Sequence, residues 1–139
     1  MKALTIGQPY AELIMSGEKT IENRSWPTAY RGPLAIHAGL SREWMKVAAR
    51  DGVMPRGMTE NRLVFGALVG VVTLIGCVPV TQLPPSLRGN VHAFGPWCWI
   101  LRRPMRLLAP LPERGRQGLW NTDRVRVIDV GGGLMVEGR

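Results

Sequence analysis

Cysteine, lysine and acidic residues are all scarce in this sequence, and each scarcity closes off a class of protein. Only Cys77 and Cys98 are present, both in apolar surroundings and without Cys-x-x-Cys spacing, so buried reduced thiols are expected rather than a disulfide framework. No His/Cys/Asp cluster has metal-ligand spacing, which argues against a structural zinc, and the Gly131–Gly133 run lacks the helix pattern that surrounds a nucleotide loop. Neither metal nor cofactor is therefore expected. The opening MKALTIGQPY has one lysine and a short apolar stretch broken by Gly and Pro, unlike a secretory signal, so a cytoplasmic location is expected.

One apolar run, Leu63 to Val80, carries no charge and reaches the lower length limit of a membrane helix. Its valines, its three glycines and Pro79 suit instead a central strand, or two strands, buried on both faces. No membrane span is expected. At 139 residues the chain matches one domain, residues 1–139, and a monomer is expected.

Charge is what the chain has in quantity. Lys+Arg number 18 against Asp+Glu 10, giving a net charge of +8 and a pI near 10.7, which favours an anionic partner. Only Lys2, Lys19 and Lys46 are lysines; the remaining cations are arginines, whose planar fork grips phosphate bidentately and stacks on bases. Between Arg88 and Arg126 eight arginines face only Glu113 and Asp123. Such clustering fits a nucleic-acid surface, whereas arginine usage alone fits equally a GC-rich coding sequence.

Along the chain, ALTI (Ala3 to Ile6) reads as a strand, and Pro9 is placed to open a helix with Tyr10, Leu13 and Ile14 on one stripe, ended by Gly17. From Thr20 the period becomes two, putting Thr20, Glu22, Arg24 and Trp26 on one face. PLAIHA (Pro33 to Ala38) is a strand; Ser41 caps a second helix with Trp44, Val47, Ala48 and Asp51 on one side. WCWILRRPMRLL (Trp97 to Leu108) is a strand bent or ended at Pro104, and Arg124 to Val130 a last one before the glycines turn the chain. The expected class is α+β: a small β-barrel of five to seven strands with one or two flanking helices.

The densest polar stretch is GEKTIENRSW, Gly17 to Trp26. Glu22 and Arg24 share a strand face, and Lys19 sits on the preceding turn within reach of Glu22. A glutamate flanked by two cations stays ionised and holds both, leaving spare N–H groups for an anion; an exposed ion-pair ladder of small energetic worth is the other reading.

GQPYAELIMSGEKTIENRSW followed by YRGPLAIHAG resembles the ASCH domain (activating signal cointegrator homology), whose signature Gly-x-Lys-x-x-Glu-x-Arg is met by Gly17, Lys19, Glu22 and Arg24. The likeness continues through Arg31 to Ala38, GALVGVVTLIGCV, WCWILRRPMRL and GRQGLWN (Gly115 to Asn121), nearly the whole chain. It implies a PUA-like β-barrel whose signature residues line a cleft, and binding of RNA or another nucleic acid; the cleft expected to take RNA, or a flipped or modified base, is made by Gln8, Lys19, Glu22, Arg24 and Trp26. Some members are similar but act as enzymes, as ribonucleases or as amidohydrolases that deacylate N4-acetylcytidine. The latter carry a threonine nucleophile where this chain has Glu22 and a carboxylate on a central strand, and none lies here between Gly66 and Pro79. A ribonuclease needs only a base for the 2′-hydroxyl, Lys19 or His37, and a phosphate clamp, Arg24. Lys19, Glu22 and Arg24 are the catalytic candidates in that case.

Trp26 is expected either at the cleft, for stacking, or in the core; Trp44 and Trp97 are expected in the core. Arg102, Arg103, Arg106 and Arg116 would track a phosphate backbone or form a solvated basic rim, and Gln117, Trp120 and Asn121 would read a base edge in the family's arrangement. His37 is a site candidate or a satisfied structural histidine, and His92 carries less signal still.

Overall fold

In a computed structural model, which describes residues 1–139, the short apolar run with Ala3 on one face and Leu4 and Ile6 on the other makes β1 (Lys2–Ile6), and the Tyr10, Leu13, Ile14 stripe makes α1 (Tyr10–Met15). β2 (Ile21–Arg24), β3 (Gly32–Ala38) and α2 (Glu43–Arg50) follow. Ser41 Oγ accepts from Glu43 N at 3.3 Å, so it stabilises the turn into α2 from just outside the helix.

The charge-free run becomes one long strand, β4 (Ala67–Pro79), and its composition follows from its place. The six-stranded sheet runs β2-β5-β4-β3-β1-β6 and curls into a half-barrel, with β1 and β3 parallel and the other neighbours antiparallel. β4 is covered on both faces. Val72 and Leu74 join Leu4, Ile14, Leu34, Ile36, Trp99 and Leu101 under α1, while Leu68 and Val71 join Ala35, Leu107, Trp120 and Val136 on the opposite side. No helix is long and apolar enough to cross a membrane.

β5 (Trp97–Pro112) does not end at Pro104. Val71 pairs with Met105 and Thr73 with Arg102, so Arg103 and Pro104 together face Val72 in a bulge, which absorbs the proline's missing N–H and bends the strand. β6 (Leu119–Asn121) completes the sheet beside β1. The expected last strand is β7 (Val125–Asp129), and beyond the glycines the chain returns as β8 (Leu134–Gly138) to form a separate hairpin. The main sheet thus matches the expected PUA-like α+β class, with two helices and this added hairpin. Cys77 and Cys98 are free thiols, half-buried and buried respectively.

Candidate functional site

Gly17 ends α1 at φ +84, and Lys19 N then donates to Leu13 O at 2.9 Å, which turns the chain back under the helix. The Lys19 side chain is consequently only 3% exposed. Its Nζ donates to Ile21 O, lies 3.3 Å from Glu22 Oε1 and stands 5.6 Å from the Tyr10 ring centroid. Glu22 Oε2 accepts from Arg24 Nη2 at 2.9 Å, and the same Nη2 donates to Thr5 O at 2.9 Å. Arg24 therefore holds β2, at one edge of the sheet, against β1 near the other edge. Its Nε is buried without a partner, and its Nη1 makes no hydrogen bond within the chain.

These three head groups meet at one wall of a cavity of about 510 Å³ at the mouth of the half-barrel. The end of β1 (Thr5 to Gly7) and Tyr10 line the next side, and α2 closes over it with Trp44, Val47 and Asp51, the helix side that the spacing predicts. Trp44, half-exposed, stands on Gly7: a Cβ there would lie 2.4 Å from Trp44 Cδ1, so glycine is what permits the contact. Its ring meets Tyr10 edge-on, centroids 6.4 Å apart. His92 and the exposed Phe94 complete the lining. Asn23 positions both by accepting from Phe94 N (2.8 Å) and Gly95 N (2.7 Å) and donating to His92 O (2.8 Å).

The electrostatics of this cavity are balanced, because Lys19 and Arg24 are offset by Glu22 and Asp51. Burial, and next the charge of Lys19, hold His92 below the usual histidine range, so its imidazole is neutral at neutral pH. Burial, reinforced by the charge of Asp51, raises Tyr10 and keeps it a phenol.

Several sequence candidates lie elsewhere. Gln8 is buried, donating to Val64 O at 2.8 Å and accepting from Glu12 N at 3.0 Å, and so fastens α1 to the segment before β4 instead of lining the cavity. Trp26 is also absent from the cavity: β2 ends at Arg24, the period-two alternation stops with it, and the ring turns to pack edge-on against Trp99, centroids 4.8 Å apart. Trp44, expected in the core, lines the cavity instead. His37, 1% exposed on β3, contacts Glu113 O through Nε2 at 2.7 Å and packs edge-on against Trp120; it does not reach the cavity. Trp120 is buried, and its Nε1 donates to Thr5 Oγ1 at 3.2 Å. Arg116 lies over the Trp120 ring, and Gln117 and Asn121 are exposed outside the cavity. Nor do the arginines form one surface. Arg106 grips Glu12 bidentately, Arg124 and Arg126 pair with Glu113 and Glu137, and Arg102 and Arg103 line a second hollow. Asn23, His92, Phe94 and Asp51 carry no motif that would single them out in the sequence.

The family model described as the ASCH domain matches residues 4–88, more than half of the chain and all of the cavity lining except His92 and Phe94. The chain belongs to the ASCH domain family. This ASCH domain is 27% identical over 127 residues to activating signal cointegrator 1 of Homo sapiens, and equally to that of Mus musculus. The alignments cover 86% of this chain but only 22% of either relative, so it spans about a fifth of their length. Among solved structures it is similar to ASCH from Zymomonas mobilis, with a TM-score of 0.56 at 17% identity over 88% of this chain and 87% of that one. A mutant protein from the same organism matches with a TM-score of 0.51 at 15% identity, covering 88% of this ASCH domain and 90% of the other. At such identity these structures establish the fold.

Proposed function

We propose that this ASCH domain binds single-stranded RNA by admitting one base into the cavity between β1, β2 and α2. The family is generally linked to RNA binding. The observation that carries the reading is the pairing of Trp44 and Phe94 with the Arg24 head group on one cavity of about 510 Å³, within the range of small-ligand pockets. Aromatic side chains supply the π-face on which an unstacked base sits, and the unbonded Nη1 of Arg24 supplies a donor to a base or ribose oxygen. The balanced charge of the lining suits a neutral base better than a phosphate.

Labelled single-stranded RNA and DNA, titrated with the protein at low salt and with and without magnesium, test this. RNA retarded by the wild-type protein and released by Trp44→Ala supports the reading; unshifted mobility of both nucleic acids overturns it.

A second reading, cleavage of the bound RNA, is favoured by His92, a neutral imidazole on the cavity wall. Such a base would take the 2′-hydroxyl proton as that oxygen attacks the phosphorus, and the bond to the 5′-oxygen breaks as that oxygen takes a proton from water, leaving a 2′,3′-cyclic phosphate and a 5′-hydroxyl. Lys19 suits this role less well, since Nζ is enclosed by Ile21 O and Glu22. Retarded RNA that stays intact in every lane retires the cleavage reading.

A further inference from the structure

A second hollow, about 590 Å³, lies on the other side of Lys19 and is lined by Gly17 and Thr20, Ser86 and Leu87, and the bulge of β5. Its polar content differs in kind from that of the base cavity. Arg102 and Arg103 are both exposed there, and neither makes a hydrogen bond or an ion pair within the chain, whereas Arg24, Arg42, Arg50, Arg106, Arg124 and Arg126 all meet carboxylates. No carboxylate lines the hollow. The hydroxyls of Thr20 and Ser86 are also without intrachain partners, and the remaining wall, including Val72, Ile100 and Leu101, is apolar, which strengthens an ionic contact made against it.

The backbone at this point is unusual as well. Arg103 is the one non-glycine residue with a positive φ, +54, and it occupies the bulge opposite Val72. A glycine would sit there without strain, yet the chain places an arginine whose charge no internal group neutralises.

We infer that this hollow is a phosphate site in which Arg102 and Arg103 grip a phosphodiester of the strand whose base enters the neighbouring cavity, with Lys19 as the wall common to both. The inference rests on the RNA reading above and deepens it: the ligand is an oligonucleotide, not a free base or nucleoside, because charge-balanced and purely cationic hollows stand side by side.

Fluorescence anisotropy with labelled RNA oligonucleotides of increasing length, beginning at a mononucleotide, tests it on the full chain. The expected result is a steep gain in affinity beyond the first nucleotide. Arg103→Gly, a residue the local backbone accommodates, and Arg102→Gln should each weaken oligonucleotide binding about tenfold at low salt. Each should also flatten the plot of log affinity against log salt by about 0.7. Thermal melts establish that both variants are folded. If both retain full oligonucleotide affinity and slope while Trp44→Ala loses it, the phosphate site is wrong and the base cavity stands. If the arginine variants lose affinity and Trp44→Ala does not, the phosphate site stands and the base cavity fails. Inorganic tripolyphosphate that binds as tightly as the oligonucleotide, and is lost in the same arginine variants, would make free polyphosphate the ligand and overturn the strand path.

Discussion

Arg24 Nη2 donates to the carbonyl oxygen of Thr5 at 2.9 Å while also meeting Glu22 Oε2, so one guanidinium links two strands that lie near opposite ends of the sheet. The contact spans the mouth of the half-barrel, and the cavity opens beside it. The signature residues thus have a structural task, holding the mouth at a set width, in addition to the binding task proposed for them.

The buried partnership of Lys19 and Glu22 makes the first prediction. Glu22→Ala leaves an ammonium that is 3% exposed without its carboxylate, and should cost about 3–5 kcal/mol of stability. Lys19→Met combined with Glu22→Leu should cost less than Glu22→Ala alone, since the buried ammonium leaves together with its carboxylate and the one cation that then lacks an ion-pair partner, Arg24, is 23% exposed and keeps its bond to Thr5 O. Urea denaturation of the single and double variants measures both quantities.

Trp44 and Trp26 should separate binding from packing. Trp44→Ala should weaken RNA binding by about 1–3 kcal/mol, which is roughly 5–150-fold, with a modest change in melting temperature because the ring is half-exposed. Trp26→Ala removes a ring packed on Trp99 and should destabilise the fold by roughly 3 kcal/mol while leaving the folded fraction's affinity close to wild type. Equal loss of affinity in both would contradict this division.

His92 gives the stability a pH dependence of defined sign. Its folded pKa lies below the unfolded value of about 6.5, so the unfolded chain binds more protons as the solution is acidified. Its contribution is present above that unfolded value and is lost as pH falls through the folded pKa. The difference in melting temperature between wild type and His92→Asn, followed downward from pH of about 7.5, should therefore shrink on acidification. A difference that grows instead would contradict the assignment.

Arg103 is placed where an L-residue is strained. Arg103→Gly should raise stability by roughly 1 kcal/mol, since the φ of +54 suits glycine and no intrachain contact of the guanidinium is lost. Chemical denaturation reads this directly. A destabilised variant would mean that the side chain packs in a way the bulge geometry does not reveal.

Local patterns in the sequence determined a good deal here. The short apolar run of β1, the stripe of α1 ended by Gly17, the side of α2 that bears Trp44, Val47 and Asp51, and the proximity of Lys19, Glu22 and Arg24 all depend on residues within a few positions of one another, and local pattern reports those. Even the charge-free composition of β4 already implied burial on both faces. What only the tertiary structure decided is which distant groups share a space. Trp26 left the cleft because its strand stopped two residues earlier; His37 and Gln8 were buried by neighbours far along the chain; and His92, Phe94 and Asp51 entered the cavity because the sheet curls until β2 approaches β1. The physical reason is that side-chain direction follows from backbone period over one element, whereas the meeting of elements depends on sheet curvature, bulges and long-range hydrogen bonds such as that from Arg24 to Thr5, which no short window of sequence encodes.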